Sequence, residues 1–138
     1  MKRIALFITA TLSLLAALSA EPWRLKLAND VEQATLRIDL YEESVDVPGM
    51  DILGPMNGYL GGKGIYGVWM VTSFDIKDDH TATLRLSNDQ GSDTQRVLLT
   101  QQNDSTYLME LQGGVVVKRA VNRKLVKIPA KILLTVRP

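Results

Sequence analysis

His80, the only histidine in the chain, follows Asp78 and Asp79, with Ser73 and Ser87 seven residues to either side. A histidine oriented by a carboxylate and facing a serine hydroxyl could support acyl transfer. That chemistry needs the serine raised on a sharp strand-to-helix turn, and neither serine has such a setting. Asp-Asp before His is instead the composition of a turn between strands. With Asp75, the same stretch offers oxygen and nitrogen ligands, and Asn88, Asp89 and Asp93 surround Gly91. Calcium loops alternate carboxylates about a glycine and end on a bidentate acid. Neither segment has that spacing, so no metal site is expected. The run Gly58-Tyr59-Leu60-Gly61-Gly62-Lys63-Gly64 is superficially a phosphate loop. That motif requires a glycine four residues ahead of the Gly-Lys pair and a hydroxyl after it, and here Asn57 and Gly64 occupy those places. Glu110, flanked by Met109 and Leu111, is the most interesting of the acids that could enter a carboxylate pair for glycoside chemistry. It reads as a solvent-facing position on an edge strand. With one histidine and no cysteine, the common nucleophiles and bases are scarce; neither an enzyme nor a cofactor is expected.

The aromatic residues are more suggestive. Tyr59, Tyr66, Trp69 and Phe74 fall within sixteen residues around the glycine-rich stretch. Aromatics beside glycines can pack as core or line the mouth of a barrel against an apolar or sugar ligand. Arg119 alternates with Val115, Val117 and Val121. A lone guanidinium on an apolar strand face either meets a carboxylate head group or pairs with an acidic neighbour in the core. Tyr66, Trp69, Tyr107 and Arg119 are therefore the candidate ligand-binding residues.

The elements that would carry these residues read as short β-formers separated by turns. Trp23–Leu27 alternates, although Trp23, Leu27 and Val31 also fit a helical spacing after Pro22. Ala34–Glu42 points Leu36, Ile38 and Leu40 one way, and Ser44–Val47 continues or follows it. Asp51–Gly64 is irregular. Ile65–Ile76 places Tyr66, Val68, Met70, Phe74 and Ile76 on one face and Trp69 and Val71 on the other. Such a strand is covered on both sides or lends its outer face to a contact. Further strands are expected at His80–Ser87, Thr94–Gln101, Thr106–Gln112, Val115–Val121, Leu125–Ile128 and Lys131–Arg137. The expectation is an all-β fold of about seven to nine antiparallel strands in a meander, closed as a small barrel or folded as a β-sandwich.

Residues 1–20 read as a cleavable signal peptide: Lys2-Arg3, an apolar run from Ile4 to Leu18, then small residues Ser19-Ala20 before Glu21-Pro22. No cysteine follows the run, so lipoprotein attachment is excluded. Residues 21–138 then form a single β-rich domain, periplasmic or secreted and not membrane-spanning once processed. An exported chain without disulfides points to a bacterial envelope. A membrane-embedded barrel is not expected, because several strands fall short of about nine to eleven residues and Arg85 would stand on the lipid face. From Leu27 to Glu110 there are five basic and fourteen acidic residues, whereas Leu111–Pro138 has seven basic and none acidic. Interleaving of those positives with apolar residues favours late basic strands beside early acidic ones over a nucleic-acid surface.

Gly67-Val68-Trp69 resembles the Gly-x-Trp of lipocalins and their calycin relatives. That resemblance, confined to three residues, implies an exported eight-stranded barrel of similar size, with the tryptophan closing one end. In lipocalins the motif lies near the mature N-terminus, here about 45 residues precede it, and the second lipocalin signature, Thr-Asp-Tyr, is missing. The functional expectation is a non-enzymatic domain that binds a small apolar molecule or a glycan. The alternative is an interaction module for an envelope protein, an inhibitor or assembly factor. An open barrel interior would favour the first, and a filled interior with an apolar outer strip the second.

Overall fold

A computed structural model of the chain describes residues 21–89 and 93–138, so the leader expected over 1–20 lies outside the described residues. The chain folds as ten strands: β1 (Arg24–Asn29), β2 (Ala34–Asp39), β3 (Gly58–Gly61), β4 (Trp69–Ile76), β5 (Thr81–Asn88), β6 (Thr94–Asn103), β7 (Thr106–Gly114), β8 (Lys118–Val121), β9 (Lys124–Lys127) and β10 (Lys131–Arg137). Eight close into an antiparallel barrel in the order β1-β10-β7-β6-β5-β4-β3-β2, while β8 and β9 form a separate hairpin. Of the two architectures expected, the barrel forms. β10 closes it by pairing with both β7 and β1.

Period-two alternation explains the inner wall. Leu36 and Ile38 of β2, Ala82, Leu84 and Leu86 of β5, Val97 and Leu99 of β6, Met109 of β7 and Leu134 of β10 are essentially unexposed and belong to one cluster. Their neighbours Arg37, Arg85 and Arg96 face water. Apolar inside and charged outside is the reverse of a membrane barrel.

The Trp23–Leu27 stretch resolves as strand from Arg24 onward: Trp23, in the turn before β1, seals its end, and Leu27 faces the core. Four expectations are corrected. β3 lies inside the stretch read as irregular. At Gly58 a Cβ would come within 2.3 Å of the Arg37 carbonyl oxygen, so glycine lets this strand press against β2. Ile65–Val68 is loop, so β4 begins only at Trp69. Within β4 the register shifts between Val71 and Ser73, leaving Thr72 as the extra residue of a β-bulge. After the bulge Phe74 opposes Leu84 and Ile76 opposes Ala82, as Val71 opposes Leu86 before it. Phe74 and Ile76 thus share the side of Val71, not the opposite one. Finally, Val115–Val117 precedes β8 and is not part of it.

Because neighbouring strands run in opposite directions, the loops gather at two rims. The β1–β2, β3–β4 and β5–β6 connections and the β8–β9 hairpin occupy one, the hairpin rim. The N-terminal residues and the β2–β3, β4–β5 and β6–β7 connections occupy the other. Both rims are stoppered. At the N-terminal rim Trp23 is 1% exposed, and its Nε1 donates to the carbonyl of Asp78 at 3.2 Å. At the hairpin rim Val117 and Ile128, which flank the hairpin, join the core cluster, and the Ile128 N–H bonds the Val117 carbonyl. The axis between them is filled by side chains.

The basic C-terminal stretch is also not arranged as expected. Arg137 reaches Asp30 at 3.2 Å, Arg119 pairs with Glu32, and Lys131 stands opposite Glu110. Lys118, Arg123, Lys124 and Lys127, however, stand on the hairpin outside the barrel sheet and form no ion pair among the described residues. Many of the early acids, including Glu42, Glu43, Asp46, Asp78, Asp79 and Asp104, lie in loops of the opposite rim. The charge asymmetry of the sequence becomes an asymmetry between poles.

Candidate functional site

At the hairpin rim, backbone packing assembles a cleft. The β3–β4 loop lies directly on the β1–β2 turn: the Gly64 N–H donates to the Gln33 carbonyl at 2.8 Å. A Cβ on Gly64 would fall 1.8 Å from the Glu32 carbonyl oxygen. That glycine is needed for a close approach between two chain segments, not for cradling a phosphate. The same loop then binds the hairpin, the Tyr66 N–H donating to the Lys118 carbonyl at 2.7 Å. The hairpin turns at Asn122 and Arg123, both at positive φ (50° and 67°), the pattern of a two-residue type I′ turn that matches strand twist.

Between hairpin and rim lies an open cleft of about 170 Å³, walled by Tyr66, Gly67, Trp69, Asn88, Asp89, Asp93, Val115, Val116, Lys118 and Leu125. Trp69 is 4% exposed, and its indole Nε1 is buried without a hydrogen-bond partner. Tyr66 is 58% exposed beside it. Asn88 and Asp93 are tied to each other, the amide Nδ2 donating to Asp93 Oδ2 at 3.0 Å and the Asp93 N–H to Asn88 Oδ1 at 3.3 Å. This wall therefore has fixed polar edges. A buried donor with no acceptor is costly, so Trp69 is the wall residue whose hydrogen-bonding capacity is left unused among the described residues.

Of the four residues picked from sequence, Tyr66 and Trp69 share this cleft. Arg119 is close by on β8, but its guanidinium is committed: Nη2 pairs with Glu32 of the β1–β2 turn, and Nε is buried without a partner among the described residues. Of the two roles open to Arg119, pairing with an acidic neighbour is the one observed. Tyr107 is not with the others. It begins β7 at the opposite rim, where its hydroxyl donates to the Pro22 carbonyl at 2.9 Å and its ring packs edge-on to Trp23. Burial, reinforced by Tyr41 and Asp104, pushes its phenol up to about 12.

The other chemistry-bearing residues take structural positions. The His80 N–H is bonded by Asp78 Oδ1, and its Nδ1 lies 3.2 Å from Gln101 Oε1, so its ring partner is an amide rather than a serine. Glu110 is half-buried on β7, opposite Lys131. Among the described residues, no three His, Cys, Asp or Glu converge as a metal would require. No helix there is long and apolar enough to cross a membrane.

Sequence reasoning missed two buried polar residues. Asp39, 4% exposed, accepts from the Tyr41 and Glu42 N–H groups, the Ser44 hydroxyl and Arg24 Nε. Burial alone would raise its carboxyl, but these hydrogen bonds hold it below the usual carboxylate range. Gln95, 3% exposed, bonds three backbone groups around a bulge in β7. The Asp39-Leu40-Tyr41 sequence was a readable signal for an Asp accepting backbone N–H groups two and three residues on. Gln95 left none.

Comparison with family models, with curated proteins and with solved structures finds no match to this chain.

Proposed function

We propose that this chain is a non-enzymatic binding module of the bacterial envelope, exported by its leader, that grips one sugar unit of a glycan in the cleft between hairpin and rim. The carrying observation is that Trp69, whose indole N–H is buried without a partner among the described residues, walls that cleft together with the exposed Tyr66. A glycan supplies hydroxyl acceptors for a fixed donor and a C–H face for an aromatic platform. A cleft of about 170 Å³ is smaller than the roughly 300 Å³ and upward that encloses drug-sized ligands, so the site suits one unit of a larger chain. The filled axis removes support from a carrier that swallows an apolar ligand. The observation favouring the alternative, a protein partner, is β9: every residue of it is exposed, and it pairs with β8 alone.

The test is titration of the protein with envelope-type oligosaccharides, followed by isothermal calorimetry. Trp69→Phe, which keeps a ring and removes the N–H, should leave the fold intact and weaken binding about fivefold or more. Unchanged affinity in Trp69→Phe, or no response to any glycan, would remove the reading. Capture of a protein partner that depends on β9 would then favour the alternative.

A further inference from the structure

We propose that Arg85 and Arg96 form an oxyanion site for a phosphate or sulfate group on the flank of the barrel, distinct from the hairpin cleft. The two arginines are direct cross-strand partners on β5 and β6, so their Cβ atoms stand about 5 Å apart. Both are exposed. Like charges placed directly opposite destabilise a sheet, and neither arginine forms an ion pair among the described residues. Of the acids on the adjoining strands, Asp75 of β4 lines one hollow beside the pair but forms its ion pair with Lys77 at 2.8 Å, and Glu110 of β7 stands opposite Lys131.

The surroundings are built to present the pair. A β-bulge brackets it on each side at the same level. On β4, Thr72 is the extra residue next to Ser73, the partner of Arg85, and its hydroxyl donates to the Arg85 carbonyl at 3.2 Å. On β7 the register shifts so that Gly113 partners Arg96 while Leu111 partners Val97. Bulges re-aim side chains and recur beside functional sites. The second bulge is fastened by the buried Gln95 amide. Its Oε1 accepts from the Arg96 and Gly113 N–H groups at 2.9 and 2.8 Å, and its Nε2 donates to the Val115 carbonyl at 3.2 Å. At Gly113 a Cβ would lie 3.7 Å from Arg96 Nη2, which places that guanidinium over the bulge. Two open hollows meet at the pair. One, of about 410 Å³, includes Thr94 and Gly113; the other, of about 230 Å³, includes Ser73 and Thr83. Two planar guanidiniums with hydroxyls around them match a tetrahedral oxyanion, which would also cancel the repulsion.

The experiment measures thermal midpoint at low ionic strength with inorganic phosphate, with chloride at matched ionic strength, and by co-sedimentation with phosphatidylcholine vesicles containing phosphatidic acid. Phosphate should raise the midpoint more than chloride. Arg85→Gln and Arg96→Gln should each weaken that response about tenfold or more, yet be more stable than the parent in anion-free buffer because the repulsion is gone. That second readout separates lost binding from lost folding. Arginine-dependent binding to vesicles without a phosphate response assigns the oxyanion to a lipid headgroup; a phosphate response alone assigns it to a free anion. Equal responses to phosphate and chloride, an undiminished response in the double variant, variants less stable without anion, or binding to neither probe would overturn the proposal.

Discussion

The rings of Trp23 and Tyr107 meet edge to face, 5.9 Å between centroids at 69°, across 84 residues of chain. This pair stoppers the N-terminal rim and ties the first described residues to the middle of the barrel, because the Tyr107 hydroxyl also holds the Pro22 carbonyl. Trp23→Ala should cost about 3–5 kcal/mol in urea unfolding. Trp23→Phe should cost markedly less, since a ring still fills the space.

Tyr107 should make the fold sensitive to alkali. Its phenol is pushed up to about 12 in the folded chain by burial, against about 10 when unfolded. Between those values the unfolded chain releases this proton and the folded chain keeps it, so stability falls as pH rises from about 10 to about 12. Tyr107→Phe should flatten that segment of a stability-versus-pH curve. It should also cost about 1 kcal/mol at neutral pH for the lost bond to Pro22.

Asp39 works at the acid end with the opposite sign. Its folded carboxyl lies below the ordinary range of about 3.9, so the stability it contributes is complete above that range. It is lost as pH falls through the folded value. Asp39→Asn should lower stability at pH 7 by about 1–3 kcal/mol and remove this part of the acid dependence, measured by chemical unfolding from pH 6 downward.

The Arg119–Glu32 pair fastens the hairpin to the β1–β2 turn, and a two-stranded hairpin alone is marginal. Glu32→Gln leaves a half-buried guanidinium without its counter-charge. Amide exchange in β8 and β9 should quicken about tenfold or more, while the core amides of β5 and β6 keep their protection. Uniform acceleration across all strands would show that the pair supports the whole barrel instead.

Strands β5 and β6 were readable because their outward positions are polar and their inward positions aliphatic, as with Thr83 and Arg85 beside Leu84 and Leu86. β3 was hidden because it is four residues long and begins and ends in glycine, with Gly58 serving a backbone contact with β2 that carries no alternation. The inward face of β4 was misread because one inserted residue, Thr72, reverses the alternation downstream. Tyr107 was grouped with Trp69 although both stand near the starts of strands three steps apart in a meander. Strand parity alone places such positions at opposite rims. The partner of Arg119 was hidden by distance along the chain, since Glu32 lies 87 residues earlier.

Closing the barrel has a consequence for crowding. Each of the eight barrel strands has a neighbour on both sides, although β3 covers β4 only at Trp69 and Met70. The exposed ribbon of the hairpin carries further open backbone edges. Lys124 and Lys127 on its outer strand, with Lys118 and Arg123 nearby, act there as gatekeepers, because two such ribbons approaching edge to edge bring cation against cation. Two such ribbons therefore resist stacking edge to edge, and an extended segment that does add to this ribbon must bring negative charge.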